Sequence, residues 1–170
     1  ALTLANKPVR ILMLEGGGNS FDDKEQALYD GTQTGVRYTP LNATRQHYLG
    51  GGTNHWGGWC RPLEKSDFEK RSWVPHSGWP FGRERLDPYY PHAAALVEAG
   101  PFDFEGKYQQ WVDKYGAPLK LGAGGVYLSW FQFSKMRGSE LPTNFGERYA
   151  ADLKEILNLT TLLHANVTNI

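Results

Sequence analysis

The sequence predicts an α/β chain in which part of a parallel sheet is accompanied by part of a separate antiparallel sheet, α+β when taken as a whole. Three observations predict it. The run Val9 to Leu14 is too short and too continuously apolar for an amphipathic helix, and Glu15 with Gly16-Gly17-Gly18 ends it abruptly. The stretch Thr160 to Ile170 alternates, with Leu163, Ala165 and Val167 on one face, as a strand returning to the first would. Val126 to Phe133 is rich in aromatic and β-preferring residues and reads as a strand of the second sheet.

Taken in order, Ala1 to Asn6 reads as the tail of a crossover helix, and Pro8 is tolerated at the start of the strand after it. The glycines after that strand suit one buried on both faces. Asn19 to Thr44 is polar and broken by Gly31 and Gly35, a long loop with one helical turn near Asp22 to Leu28. A helix begins at Asp87, which can cap it with Pro88 in the first position, and stops at Gly100; Pro91 removes a donor and makes the start irregular. A second helix opens at Asn144, with Glu147 three residues on, and carries Phe145, Tyr149, Leu153, Ile156 and Leu157 at helical spacing as far as Asn158.

Composition narrows the function. The 170 residues allow about one domain, and a mean hydropathy of -0.53 with 14% aromatic residues indicates much surface and many flat contacts. Lys and Arg together number 18, as do Asp and Glu, so nothing in the charge favours nucleic acid or an anionic membrane as a partner. One cysteine, Cys60, excludes an internal disulfide and a cysteine-based metal cluster. No apolar stretch approaches the ~18 residues of a membrane span, and no signal peptide is visible. Because the chain reads as starting inside a helix, that says nothing about the compartment of the parent protein.

Two segments carry chemistry. An acidic residue at the tip of a parallel strand hydrogen-bonds the adenosine ribose in dinucleotide-binding folds, about 20 residues after a G-x-G-x-x-G turn that holds the pyrophosphate. Glu15 is so placed, and counting back from it runs past Ala1, so the phosphate-binding turn is expected to lie before the chain. The second segment is Arg45 to Pro62. Gly50, Gly51 and Gly52 let a backbone approach a flat ring or a phosphate closely, and Thr53, Asn54 and His55 add hydroxyl, amide and imidazole groups beside Trp56. A tight loop packed under two tryptophans is the other reading of the same residues.

The runs LMLEGG, LGGGTNHWGG, SGWPFGRERLDPYY and NFGERYAADL followed by ANVT resemble the glucose-methanol-choline family of FAD-dependent oxidoreductases, and more closely its bacterial sugar dehydrogenase and pyranose oxidase branch. The likeness covers nearly the whole chain in the family's order. It implies a Rossmann-like FAD domain and a substrate domain whose antiparallel sheet lies over the isoalloxazine. Residues 1–60 would hold the second strand and flavin loop, 61–143 a substrate-domain portion, and 144–170 the helix and strand that return to the FAD domain. By the same resemblance Glu15 binds the adenosine ribose, Gly50 to Trp56 lie along the flavin, and the backbone of Val167 meets the adenine. His55 matches the histidine through which pyranose oxidases attach their flavin; the alternative is a ring packed on the flavin edge and hydrogen-bonded to backbone. The implied substrate is a small alcohol or sugar.

The family's catalytic histidine motif near the carboxyl terminus has no match here. His47, His55, His76, His92 and His164 receive no role as base: His76 reads as a loop residue, His92 as a first-turn helix residue and His164 as solvent-facing on the final strand. The chain is therefore expected to need the rest of a parent enzyme and to be inactive alone. Trp56, Trp59, Trp73 and Trp79 read as packing before sugar stacking, Cys60 as a small buried residue, and the charges at Asp22-Asp23 and from Glu64 to Arg71 as solvated surface. A carbohydrate-binding or scaffold module is the competing function. NAD(P) in place of FAD is disfavoured by the long excursion after Glu15.

Overall fold

The computed structural model describes residues 1–116 and 130–170, and shows mixed helix and strand with one small parallel and one small antiparallel sheet. The chain forms two compact units, Ala1–Gly57 with Thr143–Ile170, and Gly58–Pro142.

In the first unit, strand β1 (Ile11–Leu14) pairs in parallel with a strand from near the other end of the chain, Leu159–Leu162, in the register Ile11 to Leu159 through Leu14 to Leu162. Before β1 the expected helix tail is one 3-10 turn, Leu2–Leu4. The side-chain amide of Asn158 then fixes the start of the sheet, donating to the carbonyls of Leu4, Lys7 and Val9 while its backbone carbonyl accepts from the Ile11 amide. β1 is not buried on both faces, as its apolar run predicts. Leu12 is 60% exposed and Leu14 is exposed as well, because among the described residues the sheet has two strands and only the Ile11 and Met13 side is partly covered.

The excursion after β1 contains two short helices, α1 (Asp23–Gln26), extended by a 3-10 turn at Ala27–Tyr29, and α2 (Leu41–Thr44). Asp22 caps α1 by accepting from the amides of Lys24 and Glu25. Gln26 is buried and ties α1 to the segment from α2 to His47: its amide nitrogen donates to the carbonyls of Asn42 and Arg45, and its oxygen accepts from the His47 amide.

The second unit is built on aromatic contacts. Strand β2 (Trp59–Cys60) pairs antiparallel with β3 (Gln132–Phe133). The strand expected over Val126 to Phe133 is thus two residues long where it is described, and 126–129 lie outside the described residues. Helix α3 (Lys65–Phe68) carries a capping box in which Glu64 and Asp67 serve each other's backbone, so two of the charges expected to be plain surface hold a helix start. Phe68 is buried against Trp79 and Phe81. The helix expected from Asp87 begins as a 3-10 turn at Asp87–Tyr89 and becomes α4 at Tyr90–Leu96, with Pro91 in its first turn. Asp87 pairs with Arg83 at 3.0 Å and caps nothing. Helix α5 (Phe104–Tyr115) is not foreshadowed by the sequence pattern.

Back in the first unit, α6 (Phe145–Lys154) starts where the capping pattern places it, with the Asn144 side chain accepting from the Glu147 amide. It stops four residues short of Asn158. Leu159–Leu162 is β4. The strand expected to run on to Ile170 ends at Leu162, because His164 turns into the left-handed region at φ +54.

Candidate functional site

Glu15 leaves β1 at the carboxyl end of a parallel strand, where open α/β sheets bind ligands. Its amide donates to the Leu162 carbonyl at 2.9 Å and its carbonyl accepts from the Ala165 amide at 2.8 Å, which prolongs the β1–β4 pairing past the strand ends. One carboxylate oxygen accepts from the Gly17 amide at 3.0 Å; the other has no partner among the described residues.

The glycines after Glu15 are required by close backbone approach. A Cβ on Gly16 would come within 2.7 Å of Asn166 Oδ1 and 2.8 Å of His47 Nε2, and one on Gly17 would run into the His47 carbonyl. The turn is tied on every side. The His164 amide donates to the Gly17 carbonyl at 3.0 Å, the Gly18 amide to Glu25 Oε2 at 2.9 Å, and the Leu49 amide to the Gly18 carbonyl at 2.9 Å. Glu25 Oε1 also pairs with His164 Nδ1. His164 is exposed, as expected, but beyond the strand and in this pair. His76 lies in a loop and His92 in the first turn of α4.

The Leu49 contact leads directly into the glycine loop. Gly50 sits at φ +103, a left-handed conformation that favours glycine, and opens a 3-10 turn at Gly51–Asn54. Thr53 Oγ1 donates to the Gly50 carbonyl at 2.6 Å and accepts from the Phe145 amide at 3.0 Å, while Asn54 Nδ2 donates to the Leu49 carbonyl at 3.2 Å. A Cβ on Gly146 would strike the Leu49 carbonyl, so the loop is seated on the first turn of α6. Asn54 Oδ1 is buried and has no partner among the described residues.

On the outer side the loop is bare. No heavy atom lies within 4 Å of where a Cβ would stand on Gly51 or Gly52. His55 is exposed, and its ring makes no hydrogen bond among the described residues. Trp56 is half-buried, its indole nitrogen donating to the Thr143 carbonyl at 3.0 Å. Val167 is exposed two residues beyond the Ala165 pairing, and its backbone amide and carbonyl have no partner among the described residues.

Glu15 and the glycine loop therefore belong to one hydrogen-bonded network, although they lie far apart in sequence, and Val167 follows Asn166 at its edge without a bond of its own among the described residues. Two residues to which the sequence pattern assigns no role join them: His47 and Asn166, bonded at 3.0 Å across 119 residues. No periodicity or spacing pattern connects those two positions.

In the second unit the tryptophans expected to pack are largely uncovered, Trp59 being 63% and Trp73 76% exposed. Trp59 contacts Phe131 and Phe133 edge-on, while Trp79 packs on Phe68 and Phe81. Cys60 donates to the Gly58 carbonyl at 3.4 Å, and burial pushes its thiol pKa up against a smaller opposing effect of a backbone hydrogen bond from Ser134. Among the described residues, no group of three or more His, Cys, Asp or Glu side chains is arranged to hold a metal, and no helix is long and apolar enough to cross a membrane. No family model, no curated protein and no solved structure matches this chain.

Proposed function

We propose that this chain supplies the ribose and flavin contacts of a Rossmann-like FAD domain, in an oxidoreductase that acts on an alcohol or sugar hydroxyl. The observation that carries the reading is the Glu15 carboxylate, held at the carboxyl end of a parallel strand with one oxygen uncommitted among the described residues. A ribose hydroxyl donating to that oxygen would make a charge-assisted hydrogen bond. The open backbone face at Gly51 and Gly52 fits the approach of a flat ring, and the Val167 backbone, unpaired among the described residues, offers a donor and an acceptor to an adenine edge.

When bound, FAD would supply the hydride acceptor for oxidation of the hydroxyl carbon. This chain's residues bind and orient: Glu15 fixes the ribose, and Thr53 and Asn54 hold the glycine loop rigid beneath its open face. The chain contains no G-x-G-x-x-G turn, and none of its residues is assigned to the pyrophosphate or to the base. His55 offers an exposed ring to a covalent flavin link, which acid precipitation separates from a dissociable flavin.

The test is the visible spectrum and FAD affinity of the full-length protein. The wild type is expected to be yellow, Glu15→Ala to lose about tenfold or more in affinity, and Gly52→Val to lose flavin while keeping its melting temperature. A colourless wild type that takes up no added FAD rejects the reading. Exposed Trp59 and Trp73 favour the second reading, a carbohydrate-binding module; glycan binding abolished by Trp59→Ala in a flavin-free protein would establish it.

A further inference from the structure

His47 is only 7% exposed, and its ring lies against the turn that carries Glu15. Asn166 Oδ1 can only accept, so the 3.0 Å contact places the ring proton on Nε2. The other nitrogen, Nδ1, is buried without a partner, which leaves the Asn166 contact as the ring's one polar link among the described residues. Edge-on packing with Tyr29, 4.9 Å between centroids, holds the ring plane from the side, and Gln26 holds the His47 amide.

We propose that His47 and Asn166 form a latch that positions Glu15 and the Val167 backbone for the adenosine end of a nucleotide. The inference rests on the nucleotide reading of Glu15 above. Gly16 lies on the latch itself, since a Cβ there would touch both of its polar atoms, so the ring's orientation and the direction in which the turn leaves β1 are one geometry. Asn166 immediately precedes Val167, so the same bond fixes where that backbone stands. The far end of the turn is held separately, Gly18 by Glu25 and by Leu49. Loss of the latch is therefore expected to change the aim of Glu15 more than the presence of the turn. Both latch residues are positioning residues, since neither is assigned a ligand contact.

The discriminating measurement is the preference for AMP over 2′-deoxy-AMP, read by titration calorimetry on the full-length protein. Wild type is expected to prefer AMP by about tenfold, the size of one charge-assisted hydrogen bond to the 2′-hydroxyl. In His47→Phe and Asn166→Ala the preference should fall below about twofold, with the larger part of general nucleotide affinity retained. His47→Gln keeps a donor at the end of its side chain and should restore the preference, which a merely space-filling role would not produce. Melting curves are recorded alongside, and Asn166→Ala, altered on an exposed segment, carries the test if His47→Phe does not fold. Full preference in folded latch variants overturns the latch and leaves the nucleotide reading intact. A wild type without preference, or one unchanged by Glu15→Ala, overturns the nucleotide reading and the latch with it.

Discussion

In the unit formed by Ala1–Gly57 and Thr143–Ile170, the described buried side chains are Tyr149 and the polar Gln26, His47 and Thr143. Gly58–Pro142 also buries Gln132 and Ser134, but sets them among Phe68, Ala94, Ala99 and Met136 and a succession of ring contacts. The first unit is thus held by directional bonds between loops, each with a defined donor and acceptor, and the second by apolar area. Directional bonds fix where a backbone stands to within a few tenths of an ångström. Apolar packing is roughly proportional to area removed from water and is less particular about direction. The unit that presents a backbone surface and a carboxylate is the one built with the first kind of contact.

The sharpest way to break this contrast is to remove the centre of the ring cluster. Phe68→Ala removes the buried member of a triangle of rings completed by Trp79 and Phe81 and should cost about 3–5 kcal/mol in denaturant unfolding. A loss under about 0.5 kcal/mol, the scale of an ordinary surface change, would mean that aromatic burial does not hold this unit. Next in size is Gly17→Ala, which drives a methyl group into the His47 carbonyl and should cost about 1–3 kcal/mol by forcing the backbone apart. Gly52→Ala, with open space at the same point, is its control. Equal stability of the two alanine variants would show that the turn is not closed by contact. Smallest is Asn144→Ala, which removes the acceptor for the Glu147 amide and should lower stability by about 1 kcal/mol. A neutral result there would move the organising role at the start of α6 from the cap to Thr53, which binds the Phe145 amide.

Local signals in the sequence are legible wherever one residue's chemistry decides a local structure. Asn144 and Glu147 place the start of α6, and the apolar run ending at Glu15 places β1. Asp22 is legible only as surface charge, yet it caps α1. The fold class is legible as mixed helix and strand with a parallel and an antiparallel pair. What depends on partners distant in sequence is not legible. Burial of β1 on both faces requires neighbours that an apolar run cannot reveal, and Leu12 is in fact exposed. The extent of the return strand is set by the left-handed turn at His164, whose carboxylate partner Glu25 is 139 residues away. Alternation of Leu163, Ala165 and Val167 carries no trace of it. At the candidate site the glycines stand out because they have no side chain, whereas His47 and Asn166 look like any polar residues until the fold joins them.

The Asn158 clamp also has a consequence for the order of events. Its amide reaches back 149 residues to the Val9 carbonyl, and the parallel pair it anchors joins early and late parts of the chain. Contacts of such long separation must meet a loop-closure entropy before they are rewarded, and they form late and slowly. During synthesis, Glu15 emerges long before Leu162 and Asn166 exist to hold its turn. The turn that carries Glu15 is therefore closed only after Leu162, Ala165 and Asn166 have joined it, which makes its geometry a product of late closure rather than of the first collapse.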